Sequence, residues 1–364
     1  MIYINYYSKI RNKLDMTEAE LSREAAFNKD RIATKQLQED VPLRSSNPRS
    51  AAKIAEVQEK VEQFLSAHTD EIPRVNFTDY KFYLPYYYDL SAMYKTFQIP
   101  KRRGGFREIC APTDELKALQ TQVADLFIKT MRFLPHNAAH GFTRKRNCKT
   151  SLEVHQKYGA RWFLKLDIKD FFPSTTFEQI VYAMKHVYPF CLLTDRQIWL
   201  FTAVCTLGGV TPQGAPTSPV ITNLVMVAED VRITEYCKAH RLTYTRYADD
   251  MLISSRISFD WETVQNDIQA ILENYELKTE KTRYGSFNGR NWNLGLMYNN
   301  QNQITVGHAK KKLVKNLVHN YLTKPEQRTQ ENYYHLIGLI GYCRYIEPAY
   351  FENYLNQIKA HAPA

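Results

Sequence analysis

The sequence predicts an α+β protein, and three observations predict it. Short runs rich in Tyr, Thr, Leu and Ile, bounded by tight turns, read as strands at 97–112, 162–168, 242–254 and 293–307. Apolar residues at helical spacing mark 55–68, 116–131, 261–275 and 308–322. An apolar content of 44% over 364 residues is ample for a buried core.

The formal charge of +10 and the pI near 9.1 favour a polyanionic partner, most simply nucleic acid, although they also suit an acidic membrane surface. No apolar run approaches the roughly 20 residues of a membrane span. The start, Met1-Ile-Tyr-Ile-Asn-Tyr-Tyr7, lacks a signal peptide's long apolar centre, so the expected location is the cytoplasm. Six cysteines without CxxC spacing argue against a zinc site or a disulfide framework; they read as reduced, mostly core residues.

From the N-terminus, residues 1–75 read as a helical extension without chemistry, its clearest helix at 55–68 and a linker at 44–49. Tyrosines crowd 80–94 and read as packing. Phe97 to Pro112 reads as a hairpin presenting Lys101, Arg102, Arg103 and Arg107, which suits a triphosphate because guanidinium forks bind phosphate oxygens in pairs. In 137–146, His140 reads as a packed residue, and Arg144, Lys145 and Arg146 as backbone-phosphate contacts.

The chemistry concentrates further on. Trp162 to Ile168 reads as a buried strand, and a strand that apolar has no reason to end in Asp167 unless the acid works there. Asp170, Phe171 and Phe172 follow in a turn, where one ring could wall a sugar pocket. The Gly/Pro-dense 211–219 reads as a loop opening a helix, and Gln213-Gly214 lets backbone approach a ligand closely. Strands 242–246 and 251–254 flank a tight turn bearing Asp249 and Asp250. Carboxylates about 4 Å apart repel by roughly 4 kcal/mol at an effective dielectric near 20, so a fold that gathers several usually holds cations. Oxygen-only ligands suit Mg²⁺. After these come Lys281, a small hairpin at 293–307, a basic helix at 308–322 with Lys310, Lys311 and Lys312, and a helical stretch at 332–354, a set suited to gripping a duplex by its phosphates. The combination points to nucleotidyl transfer by two metal ions.

Tyr247-Ala-Asp-Asp250, Leu166-Asp-Ile-Lys-Asp-Phe-Phe-Pro173, Gln213-Gly-Ala-Pro-Thr-Ser-Pro219 and the Gly104-Gly105-Phe106-Arg107 hairpin stand in the order found in bacterial reverse transcriptases. The chain resembles that family over about 80–355, and Asn137-Ala-Ala-His140-Gly-Phe looks most like its retron branch. The resemblance implies a right-hand polymerase: fingers at 76–160, palm at 161–300 with finger elements inserted, and a helical thumb at 301–364. It implies RNA-directed DNA synthesis, with two Mg²⁺ per site held by Asp167, Asp249, Asp250 and the Ile168 carbonyl. It further implies Phe172 as the sugar-discriminating ring, Gln213 and Gly214 lining the nucleotide site, Lys101 and Arg107 on the triphosphate, and Lys281 serving the leaving group.

Where retron enzymes usually carry a Val-Thr-Gly triplet, this chain has Asn293-Leu294-Gly295. The expected partners are a structured noncoding RNA as template and primer, the DNA product, dNTPs and a separate effector protein in antiviral defence, with no membrane. Two alternatives stand beside this reading: a non-retron defence enzyme making repetitive or protein-primed DNA, and a non-catalytic RNA-binding regulator.

Overall fold

Pro48 opens the first helix, α1 (Pro48–Ala67), where its fixed φ and missing N–H suit the first turn. The structure, a computed structural model, describes residues 48–76, 86–101, 104–287, 292 and 295–362. Pro48 and Arg49, expected in the linker at 44–49, are helical, and the rest of that stretch, with the extension expected up to it, lies outside the described residues. Val57, Val61, Phe64 and Leu65 share the buried face of α1, as their spacing predicts. β1 (Arg74–Asn76) pairs antiparallel with β2 (Tyr86–Tyr88). β3 (Tyr94–Pro100) and β4 (Phe106–Pro112) form the expected basic hairpin, in register from Tyr94 opposite Pro112 to Pro100 opposite Phe106. Arg102, Arg103, Tyr80, Tyr83, Asn293 and Leu294 lie outside the described residues.

α2 (Asp114–Asp125) starts where the Thr113 side chain accepts from Leu116 N, and it passes into a π-turn at 126–130. α3 (Cys148–Lys157), not expected from the sequence, is opened by a reciprocal cap between Asn147 and Thr150. β5 (Trp162–Asp167) follows, then α4 (Phe177–His186), α5 (Asp195–Cys205), α6 (Ser218–Val225) and α7 (Val227–Ala239). β6 (Thr243–Tyr247) and β7 (Asp250–Ser255) are the expected acidic hairpin. After α8 (Trp261–Ile271), β8 (Arg283–Ser286) completes a four-stranded antiparallel sheet in the order β6-β7-β5-β8.

Side chains alternate across this sheet, so its two faces meet different cores. Leu164, Leu166, Met251 and Ile253 face one core, which also takes in α1, α2 and α4 to α7. Phe163 and Leu252 face the other, where the Phe163 ring stacks on Trp292 and Tyr298 at 5.0 and 5.3 Å. That second core joins α3 to the C-terminal elements: β9 (Met297–Tyr298), β10 (Ile304–Thr305), α9 (Gly307–Thr323), α10 (Gln330–Ile346) and α11 (Pro348–Lys359). The helical stretch expected at 332–354 is two helices, because Pro348 cannot continue α10. Beneath the acidic hairpin, buried His155 bonds Ser254 Oγ at 2.6 Å and Thr245 Oγ1 at 2.9 Å, and burial holds its imidazole down to about 3. All six cysteines are free: Cys148, Cys205, Cys237 and Cys343 buried, Cys110 and Cys191 partly so. Among the described residues no helix is long and apolar enough to cross a membrane.

α7 carries a pH liability. Burial pushes the Glu229 carboxyl up to about 7, against the opposing pull of Arg232, with Asp230 and Glu273 adding like charge. An acid raised in the fold stabilises it fully below the unfolded value of about 4.3, and that contribution is lost as pH rises through the folded value. Glu229→Gln should therefore be the more stable protein at pH 8 to 9 by on the order of 2 kcal/mol, with the gap closing below about pH 5. Thermal melts of both proteins across that range check this; a gap independent of pH would refute it.

Candidate active site

The acids meet because of register. Asp167 ends β5 and lies directly opposite Asp250, the first residue of β7, so both side chains leave the same face of the sheet. Asp249 sits in the turn, where its carbonyl accepts from Ile168 N at 3.0 Å. Beyond the strand end, Lys278 N donates to Asp167 O at 2.8 Å and Lys169 N to Glu276 O at 2.7 Å. By strand alternation, Ile168 turns its N–H and C=O the other way, toward the Asp249 turn.

Three lysines compensate the charge. Lys165 Nζ is 2.7 Å from Asp250 Oδ2, while Lys278 and Lys281 Nζ lie 3.1 and 3.2 Å from Asp167. Burial lowers Lys278, but its hydrogen bond to Asp167 and that acid's charge outweigh this and leave it raised. Asp249 has its carboxyl raised, first by burial, then by Asp250 and Asp167. Among the described residues no three His, Cys, Asp or Glu side chains are drawn together as a ready metal site, and Asp167 and Asp250 each pair with lysines. The donor set fits a hard cation, because it is all oxygen, mutually repelling, and paired with ammonium groups that an ion could displace.

The nucleotide-side candidates converge from other elements. Phe171 is buried against Tyr275, whereas Phe172 is half-exposed, with Phe142 6.3 Å away and its own carbonyl held by Thr211 Oγ1 at 2.9 Å. Gln213 O accepts from Cys110 N at 2.8 Å, which fixes the 211–219 loop to the foot of the β3–β4 hairpin. Gly214 has φ +131, and a Cβ there would lie 2.8 Å from Cys110 O. Lys101 and Arg107 are exposed on that hairpin. Lys281 is half-exposed beside Asp167.

The cations read as phosphate contacts divide. Arg144 and Lys312 are exposed. Arg146 instead spends its fork on His136 O, Ala139 O and Asn137 Oδ1, holding its own loop. Lys311 pairs with Glu347, whose other oxygen accepts from Val306 N at the start of α9, and Lys310 sits over the Tyr342 ring. For these three a packing role is visible that the sequence did not suggest. His140 is packed, as expected: Nδ1 bonds Thr150 Oγ1 at 2.8 Å, and burial holds the ring down to about 4.

Sequence reasoning singled out Lys281 but missed Lys165 and Lys278 on the acids, and the supports of the turn. Gly141 lies so close to Ala248 that a Cβ would come within 2.4 Å of its nitrogen. Asn223 and the buried pair Arg246–Asp230 complete that support. Residues 99–318, more than half of the chain and spanning Asp167, Asp249 and Asp250, match the family described as reverse transcriptase (RNA-dependent DNA polymerase). The chain belongs to the reverse transcriptase family. This bears out the expected α+β right-hand polymerase fold and the expected family. Among curated relatives, this reverse transcriptase is 32% identical to the Retron Mx65 reverse transcriptase of Myxococcus xanthus over 73% of its own length and 64% of the relative's. It is 28% identical to the Retron Ec83 reverse transcriptase of Escherichia coli, covering 71% of its own length and 85% of the relative's. For the Retron Ec73 reverse transcriptase of the same organism the figures are 27%, 73% and 88%. The chain thus spans just under two thirds of the Mx65 enzyme and most of the other two.

Proposed function

We propose that this chain copies a structured noncoding RNA into DNA by two-metal nucleotidyl transfer, in a retron-type antiviral defence system. The observation that carries the reading is the register that sets Asp167 opposite Asp250, with Asp249 in the adjoining turn. The retron relatives favour a dedicated RNA as template and primer. In the proposed division, residues 76–160 are fingers, 161–300 palm and 301–364 thumb, and the extension expected at 1–75 is described only from Pro48 on.

Two Mg²⁺ would be held by Asp167, Asp249, Asp250 and the Ile168 carbonyl, and when bound they supply activation of the primer 3′-hydroxyl and neutralisation of triphosphate charge. The chain's own residues do the rest. Lys101 and Arg107, exposed on the β3–β4 hairpin, hold the incoming triphosphate. Gln213 and Gly214, pinned to Cys110, present backbone to the nucleotide. The Phe172 ring takes the space a ribose 2′-hydroxyl would need. Lys281, half-exposed beside Asp167, holds a proton for the leaving group. Arg144 and Lys312 bind backbone phosphates.

The test is to purify the protein from its native operon in the cytoplasm and sequence the nucleic acid bound to it, with and without ribonuclease and protease digestion. A short discrete DNA joined to, or templated by, one RNA supports the proposal. Repetitive or protein-linked DNA assigns the chain to another kind of defence enzyme, and RNA without DNA to a binding regulator. Co-purification of an unrelated protein only with the DNA-bearing form would identify the effector.

A further inference from the structure

We propose that Arg246, clamped by Asp230, is a positioning residue for nucleotidyl transfer: it fixes the 247–250 turn from the sheet face opposite the acids. This rests on the metal-holding role proposed for Asp249 and Asp250.

Arg246 and Asp230 are both fully buried. Nε and Nη2 of Arg246 donate to the two oxygens of Asp230 at 2.9 and 2.7 Å. Nη2 also reaches Asn223 Oδ1 at 3.1 Å, and Nη1 donates to Ala248 O at 3.1 Å. A buried ion pair is a poor source of stability compared with apolar side chains of the same volume, because both charges lose their water. Its value here is directional, since the fork ends on a backbone carbonyl inside the turn that carries both acids.

That turn needs holding. Ala248 has φ +56, the left-handed region that a side chain disfavours, and such a conformation persists only where its surroundings over-determine it. The surroundings converge on Arg246. Its N–H donates to Ala138 O and its C=O accepts from His140 N, both at 2.7 Å. Asn223 Nδ2 donates to Gly141 O at 3.0 Å, which seats Gly141 against Ala248. The guanidinium also lies 5.8 Å from the Phe171 ring, beside the proposed sugar gate. A lysine cannot replace the fork, since one ammonium cannot serve Asp230, Asn223 and Ala248 in a single plane.

The test compares Arg246→Lys and Asn223→Ala with Tyr244→Phe. The Tyr244 hydroxyl donates to Asp230 Oδ1 at 2.8 Å, so its loss perturbs the same cluster without freeing the Ala248 carbonyl. The readouts are kcat, KM for dNTP, the Mg²⁺ midpoint, melting temperature and hydrogen exchange of the 244–252 peptide. Arg246→Lys should lower kcat by about 10²-fold with KM within a few fold, and Asn223→Ala by about tenfold. Both should raise the Mg²⁺ midpoint and speed exchange in the turn, whereas Tyr244→Phe should lower the melting temperature and leave kcat unchanged. Wild-type kcat and exchange in Arg246→Lys and Asn223→Ala, with only a lower melting temperature, would overturn the inference; if Arg246→Lys does not fold, Asn223→Ala decides alone. Asp249→Asn assayed alongside separates the layers. Polymerisation retained there overturns the reading of the acids itself, while its loss beside full activity in Arg246→Lys overturns only the positioning role.

Discussion

Asp249→Asn, and separately Asp250→Asn, should reduce nucleotide incorporation by about 10³-fold or more while leaving RNA affinity nearly intact. The amide keeps the size of the carboxylate and one oxygen, so the turn should still form. What it loses is charge, at a site where charge is already concentrated: burial, Asp250 and Asp167 together raise the Asp249 carboxyl. A cation gains most where such repulsion is relieved, and a loss of 10³-fold corresponds to about 4 kcal/mol of transition-state stabilisation. The RNA-binding cations proposed above, Arg144 and Lys312, lie on other elements and keep their environment. Single-nucleotide primer extension measures the first quantity and a gel-shift titration the second. Polymerisation within tenfold of wild type would remove the metal assignment, and a parallel loss of RNA binding would indicate misfolding instead.

Much of this site was legible because its signals are local. A strand as apolar as Trp162 to Ile168 announces an acid at its end, and two strands with a two-residue acidic turn announce themselves within a dozen positions. Their mutual register was not legible. Asp167 opposite Asp250 is a pairing across more than 80 residues, which only the assembled sheet order supplies. Charge partners escaped for the same reason: nothing local marks Lys165, on the strand itself, or Lys278, and only the fold sets them on Asp250 and Asp167. Conversely, Arg146 and Lys311 looked free in a basic run, yet one closes a loop and the other ties Glu347 to α9. α3 and α5 were missed because α3 carries its few buried residues among polar ones and α5 is buried nearly all round, so neither shows a clean apolar stripe.

Phe172→Ala should admit ribonucleotides, lowering the preference for a deoxynucleotide by about 10- to 100-fold in kcat/KM, with the deoxynucleotide rate itself changed much less. The two neighbouring rings differ in what they can do. Phe171 is buried against Tyr275 and under the Arg246 guanidinium, so its loss would open the core. Phe172 is half-exposed and anchored through its carbonyl by Thr211, so truncation removes bulk at the surface without unpinning the backbone. A steric gate acts by excluding an atom, and excluding one hydroxyl by bulk alone is worth only a few kcal/mol, which sets the size of the effect. Competition between a deoxynucleotide and its matching ribonucleotide on one primer measures it. An unchanged ratio would move the gate to Phe142, the other exposed ring within contact distance. A ratio altered only through a slower deoxynucleotide step would show that Phe172 orients the sugar instead of sorting it.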